Sequence, residues 1–106
     1  MSTIRNKLVV NQGTSYSVNV EVEADIDLNE YVISGQFRKT YTSQYYVDFR
    51  FNIVDETNFS LYLEPEDTLN LQDGLYVFDV EIEKDGVVHR ILEGDLLLRP
   101  RVTREG

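Results

Sequence analysis

Apolar residues fall on every second position through most of this chain. Tyr16, Val18, Val20, Val22, Ala24 and Ile26 alternate with Ser15, Ser17, Asn19, Glu21, Glu23 and Asp25. Near the other end, Tyr76, Phe78, Val80 and Ile82 alternate with Val77, Asp79, Glu81 and Glu83. A period of two is that of an extended strand with one buried and one wet face, whereas in a helix these positions would spread around the cylinder. Asp85-Gly86 tolerates positive φ and predicts a tight reversal. The return strand then places Val88, Leu92, Leu96 and Leu98 on one face, interrupted by Arg90 and Gly94. A long hairpin of this kind must lay its apolar face on a second sheet.

The remaining elements follow from the same alternation. Ile4 to Val10 is a short first strand, closed by the turn Asn11-Gln12-Gly13-Thr14. Tyr31 to Tyr41 is the third, with Tyr31, Ile33, Phe37 and Tyr41 on one face and Gly35 marking a bulge or a close backbone approach. Tyr45, Val47, Phe49, Phe51 and Ile53 line one side of a fourth, opposite Tyr46, Asp48, Arg50 and Asn52. Phe59 to Leu63 is a fifth. Glu64 to Asp73 lacks strand alternation; Pro65 suits the first position of a helical turn, Glu66 and Asp67 favour its N-terminus, and Leu69 and Leu71 are expected to plug the core. About seven short strands separated by turn signals predict an all-β, immunoglobulin-like antiparallel sandwich, with a small closed barrel as the alternative.

Composition narrows this picture. The 106 residues make one domain, 1–106, with 100–106 expected to be a loose tail. A net charge of −9 argues against nucleic-acid backbones and anionic membranes as partners. There is no cysteine, hence no disulfide, thiolate metal site or cysteine nucleophile. Met1 to Lys7 lacks an apolar signal segment, and no apolar run approaches the roughly 20 residues that span a bilayer. A chain made in a cytoplasm and remaining soluble is the expectation.

Candidate chemistry is sparse. His89 is the single histidine, and no glycine-flanked nucleophile accompanies it, so a solvent-facing strand residue is expected there. Asp25-Ile26-Asp27-Leu28-Asn29-Glu30 offers oxygens at alternate positions, as calcium loops do, but Glu30 stands where such a loop needs glycine. The polar end of an amphipathic strand is the stronger reading. No phosphate loop, cofactor motif or cleft-forming carboxylate pair is present. The one basic, aromatic-rich stretch is Arg38 to Tyr46, where Tyr41, Tyr45 and Tyr46 crowd together beside Arg38 and Lys39. Tyrosine joins a large apolar body to a polar tip, suited to protein interfaces and to stacking on sugars. The competing expectation is that Tyr41 and Tyr45 finish the core at a hairpin end while Tyr46 lies along the sheet surface.

Several phrases, in order, resemble a family of small virion proteins of tailed bacteriophages, including those of cyanobacteria. They are Gln12 to Tyr16, Asp27 to Tyr31, Gly35 to Tyr41, Gly74 to Glu81, Gly86 to Gly94 and Arg99 to Arg104. The set is also similar to the immunoglobulin-like modules that begin some phage baseplate proteins. The chain departs from the family in carrying His89 before Arg90 and in the composition of Glu64 to Asp73. The resemblance implies a non-enzymatic structural role in a virion, made in the host cytoplasm, with other virion proteins or further copies as partners and no catalytic residue to transfer. Arg38, Lys39, Tyr41, Tyr45, Tyr46 and Phe78, the last with the strand toward Ile82, form the expected interaction surface. Host-surface glycan recognition by the tyrosines is the alternative.

Overall fold

The computed structural model describes residues 3–102. Eight strands form two sheets that do not close into a barrel, so the sandwich rather than the barrel describes the chain. In chain order they are β1 (Ile4–Asn11), β2 (Tyr16–Glu21), β3 (Val32–Arg38), β4 (Val47–Asp48), β5 (Arg50–Ile53), β6 (Asn58–Leu63), β7 (Gly74–Lys84) and β8 (Val87–Arg99). The larger sheet runs β1-β8-β7-β3-β4 and the smaller β2-β6-β5. A turn of 3-10 helix, Leu28–Glu30, precedes β3, and one turn of α-helix, α1 (Pro65–Thr68), follows β6. All ladders are antiparallel except β1 with β8, which is parallel. This strand order and the one parallel edge define an immunoglobulin-like sandwich.

The core is the sum of the inward alternate positions. Phe59, Leu61 and Leu63 of β6 face Phe37 of β3 and Tyr76, Phe78, Val80 and Ile82 of β7, with Leu96 and Leu98 of β8 beside them. Each fully buried side chain of this size contributes about 1.5–3 kcal/mol relative to exposure. The stretch 45–53 is two strands, not one. Phe49 still donates its N–H to Gly35 O in the larger sheet at 3.0 Å, and Arg50 then pairs with Tyr62 in the smaller. The chain therefore changes sheets at Phe49, whose ring lies 5.3 Å from Phe37, 5.9 Å from Phe78 and 6.4 Å from Phe51. Gly35 permits the crossing: a Cβ there would stand 2.8 Å from Asp79 O and 3.1 Å from the Phe51 ring. It marks a close approach rather than a bulge.

The bulge is in the last hairpin. The Asp85-Gly86 reversal has φ of 53° and 80°, as a two-residue turn requires. The register then shifts at Val80/Glu81, pairing Val80 with Leu92 but Glu81 with Arg90. One extra residue turns the faces over. Ile91 is buried along with Leu92, Val88 lies on the outer face instead of the inner one, and His89 is half-buried opposite Ile82 instead of facing solvent. Arg90 consequently meets Asp79, Glu81 and Glu93 on the outer face at 3.5–3.6 Å.

At α1, Pro65 opens the turn as expected, and the Asp67 carboxylate accepts from Glu64 N–H at 2.8 Å while holding Arg50 at 2.9 Å. Thr68 and Leu71 pack inward, and Leu69 is exposed instead. The Thr68 hydroxyl accepts from Gly13 N–H at 2.8 Å. Gln12 reaches the same loop, donating to Leu71 O at 2.6 Å and accepting from Arg101 N–H at 3.2 Å. Arg101 is thus tied down, although it falls in the expected tail; 103–106 lie outside the described residues.

The loops at 22–31, 54–57 and 84–87 gather at one end of a body 49 Å long, joined by Val22 N–H to Thr57 O, Leu28 N–H to Glu56 O and the Lys84–Glu30 ion pair. That end, from Glu21 onward, carries nine carboxylates against Lys84, whereas the other nine acidic residues among the described ones are balanced by eight cations.

Gly94 is where β1 and β8 touch. A Cβ there would lie 1.7 Å from Asn6 O, and its φ of 152° is one that side-chain-bearing residues rarely adopt. Gly94→Ala is expected to cost on the order of 3 kcal/mol, read as a lower urea midpoint with early loss of hydrogen-exchange protection along β1. Retained protection at Val10 would show that β1 does not depend on this glycine.

Candidate functional site

The Arg38–Tyr46 stretch leaves the sheet at the end of β3 and returns as β4. Lys39 and Thr40 bend the chain, and Ser43 N–H closes the loop on Thr40 O at 3.1 Å. Neither Tyr41 nor Tyr45 finishes the core: their side chains are 61% and 90% exposed, and Tyr46 is 51% exposed. The alternation that placed them inward outlasts the ladder, which stops at Arg38 opposite Val77. Phe78, by contrast, is only 2% exposed and belongs to the core. It offers no side chain to a partner, and β7 around it is a central strand with no free edge. The open edges are β1 and β4 in one sheet and β2 and β5 in the other.

Two shallow hollows of about 350 Å³ each flank Arg38. The first is lined by Phe37, Arg38, Lys39, Ser43, Tyr45, Tyr46, Val47, Leu71, Gln72 and Tyr76. The second, on the outer face of the larger sheet, takes in Gln36, Arg38, Tyr41, Val77, Phe78, Asp79, Glu81 and Arg90, although the Phe78 side chain itself is buried. Tyr45 and Tyr46 therefore share one hollow, Tyr41 belongs to the other, and Arg38 borders both.

Each cation is positioned by local contacts. Arg38 donates to Ser43 O at 3.0 Å and to Gln36 Oε1 at 2.8 Å, and its guanidinium lies 5.1 Å from the Tyr46 ring centre. Gln36 is in turn fixed by Asp48 at 3.0 Å. Two of five guanidinium donors are engaged this way, so the remainder face the hollow or solvent. Lys39 Nζ sits 4.8 Å over the ring of Tyr76, in space that exists because Gly74 has no side chain: a Cβ there would be 2.9 Å from Nζ. Such cation–ring contacts hold a charge without neutralising it. Among the described residues neither Arg38 nor Lys39 has a carboxylate within ion-pair distance, whereas Arg50, Lys84 and Arg90 do.

Tyr76 links the hollow to the core. Its ring meets Phe37 edge-on at 5.5 Å, and its hydroxyl donates to Gln72 O at 2.6 Å, four residues upstream. This is the tyrosine corner of Greek-key sandwiches. Burial, and secondarily the charge of Asp73, raise its phenol above the ordinary value of 10.0. Tyr76, Leu71, Gln72 and Val47 complete the hollow but carried no signal as site residues in the sequence. Leu71 and Gln72 come from the segment without periodicity, and Tyr76 reads as core. Its position two residues into a strand, just after Asp73-Gly74, is the only local cue to its corner role.

The carboxylates at Asp25 to Glu30 do local structural work: Asp27 Oδ1 accepts from Asn29 N–H and Nδ2 at 3.0 and 2.9 Å, and Glu30 binds Lys84. Among the described residues no three His, Asp or Glu side chains stand where they would hold a metal.

An exposed cationic and aromatic loop on an immunoglobulin-like sandwich defines a candidate binding module. No protein-family model matches the chain, and no curated protein matches it. Among solved structures it is similar to a proposed glycoside hydrolase of Bacteroides vulgatus ATCC 8482, at 8% identity and a TM-score of 0.52, over 89% of this chain and 16% of that one. A second is Listeria monocytogenes InlP, at 14% identity and a TM-score of 0.45, over 93% and 28%. The chain thus spans about a sixth of the first protein and under a third of the second; the first likeness is one of fold alone.

Tyr76→Phe removes the hydroxyl and leaves Gln72 O without its donor, an expected loss of about 1 kcal/mol by chemical denaturation. The native phenol holds its proton to higher pH than the unfolded one, so the native state binds more protons above pH 10.0. The Tyr76 contribution is therefore kept below that pH and lost as pH rises through the native value. The phenylalanine variant should show a shallower alkaline fall in stability; identical profiles would remove Tyr76 as its source.

Proposed function

We propose that this chain is a non-catalytic, immunoglobulin-like docking module of a tailed-phage virion. It binds other virion subunits through the loop from Arg38 to Tyr46. The observation that carries the docking role is the exposure of Tyr41, Tyr45 and Tyr46 on one loop, beside two cations held on ring faces and a hollow of about 350 Å³. Exposed tyrosines beside a half-buried arginine on a rigid scaffold match the composition of binding hot spots. The virion setting rests on the ordered phrases from Gln12 to Arg104 that resemble phage structural proteins.

A second reading, recognition of host-surface glycans, is favoured by one specific feature. Tyr45 as a residue is 90% exposed, which leaves its ring available to a sugar. The module-sized share of the proposed glycoside hydrolase that this chain matches is compatible with it.

The deciding experiment is incorporation into particles. Tyr46→Ala is expected to lower the amount of this protein in purified virions roughly tenfold, the loss of a single hot-spot contact, with its melting temperature nearly unchanged. Equal loss of stability and incorporation would show a folding defect, and absence of the wild-type chain from particles would overturn the virion setting. Glycan-array binding by a soluble monomer, abolished by Tyr45→Ala, would establish the second reading instead.

A further inference from the structure

Resting on the docking reading, we infer that the hollow takes an extended acidic peptide segment of a partner protein. A carboxylate of that segment meets Arg38 and Lys39, and a neighbouring apolar side chain lies on Val47, Leu71 and Tyr76. Three observations support this occupant. The floor supplied by Val47, Leu71 and Tyr76 is mainly apolar, which suits an aliphatic side chain better than a sugar ring rich in hydroxyls. Among the described residues the rim carries two adjacent cations with no carboxylate within ion-pair distance: they rest on tyrosine rings, the Ser43 carbonyl and the Gln36 amide, while Asp79 and Glu81, across the second hollow from Arg38, are engaged by Arg90 and Asp73 lies near Tyr76. Among the described residues Arg38 engages only two of its five N–H donors, and the guanidinium fork fits a carboxylate.

Charge distribution permits an acidic visitor here despite the chain's net −9. The unbalanced carboxylates sit at the opposite end of the 49 Å body, around Glu21 to Glu30, Asp55, Glu56, Glu83 and Asp85. At physiological salt, exposed charges are screened beyond about 8 Å. An acidic segment at Arg38 is thus attracted locally and shielded from the far end. A second copy of the chain brings the whole −9 with it, which makes a separate partner the better fit.

The test is an amide chemical-shift titration of the full chain with a blocked peptide alternating glutamate and leucine, set against the same peptide with glutamine for glutamate. Saturable shifts are expected at residues 38–46, 71 and 72. Binding should weaken roughly fivefold with the glutamine peptide and fall as salt rises from about 50 to 300 mM. Lys39→Gln, which leaves the bonds of Arg38 to Ser43 and Gln36 in place, should weaken the response at nearly unchanged melting temperature, and adding Arg38→Gln should abolish it at the cost of a few degrees in melting temperature. Equal binding of the two peptides, or shifts confined to other surfaces, overturns the inference. So does a response to oligogalacturonate in place of the peptide, or a dependence on protein concentration alone, which would assign the hollow to an acidic glycan or to a second copy. If Tyr46→Ala still blocks particle incorporation while the peptide leaves the hollow unshifted, docking stands and only the acidic chemistry fails.

Discussion

The crossing of the chain from one sheet to the other at Phe49 is the constraint on which the rest of the molecule depends. A sandwich needs its two sheets held at a fixed spacing, and here one ring does much of that holding. Phe49 touches Phe37 and Phe78 of the larger sheet and Phe51 of the smaller, and Phe51 passes the contact on to Phe59. Tilted and edge-on pairs of this kind add about 0.5–1.5 kcal/mol each beyond area burial. Because the chain must reach Phe49 in time to cross, β4 is only two residues long. A short β4 leaves residues 39–46 unpaired, and the exposed loop follows from that. The candidate site is a by-product of how the core is stitched.

The same aromatic chain ties the site to the interior. Tyr76 presses its edge on Phe37 from within the core, anchors the loop after α1 through its hydroxyl, and supports Lys39 on its outer side. Around it, Gln12 fastens the first turn to the carbonyl of Leu71 and to the backbone of Arg101, and Thr68 receives Gly13. These contacts knit three segments far apart in sequence at the end of the sandwich where the site lies. The floor of the hollow is thereby preorganised, which reduces the ordering cost that a binding surface otherwise carries.

Much of the fold was legible in the chain because alternation reports burial directly. β6, β7 and the Asp85-Gly86 reversal lie where the pattern puts them, and α1 begins at Pro65. The misreadings share one cause: alternation says that a chain is extended and says nothing about what it pairs with. It continues without a break through Phe49, where no glycine or proline marks the change of sheet. It runs on from Phe37 to Tyr41 past the end of the ladder, and it cannot register the extra residue at Ile91 that turns Val88 outward and draws His89 in. For the site, Arg38, Lys39 and the three tyrosines were visible as a local cluster. Phe78 lies on the face that alternation itself marks as buried, and the free edge expected of its strand is closed because β7 is central, a long-range property that alternation does not report. Val47, Leu71 and Gln72 were invisible for the same reason.

The gathering of uncompensated carboxylates at the three-loop end makes the molecule a long electric dipole. In the field of any negatively charged assembly it experiences a torque as well as a force, and the torque turns the acidic end away. The loop carrying Arg38 and the tyrosines is then presented first, before any contact is made. Orientation is thus partly settled during approach, within the last Debye lengths of diffusion, and first encounters are biased toward that loop. Dilute salt would sharpen this alignment, and concentrated salt would erase it together with much of the charge attraction at the loop itself.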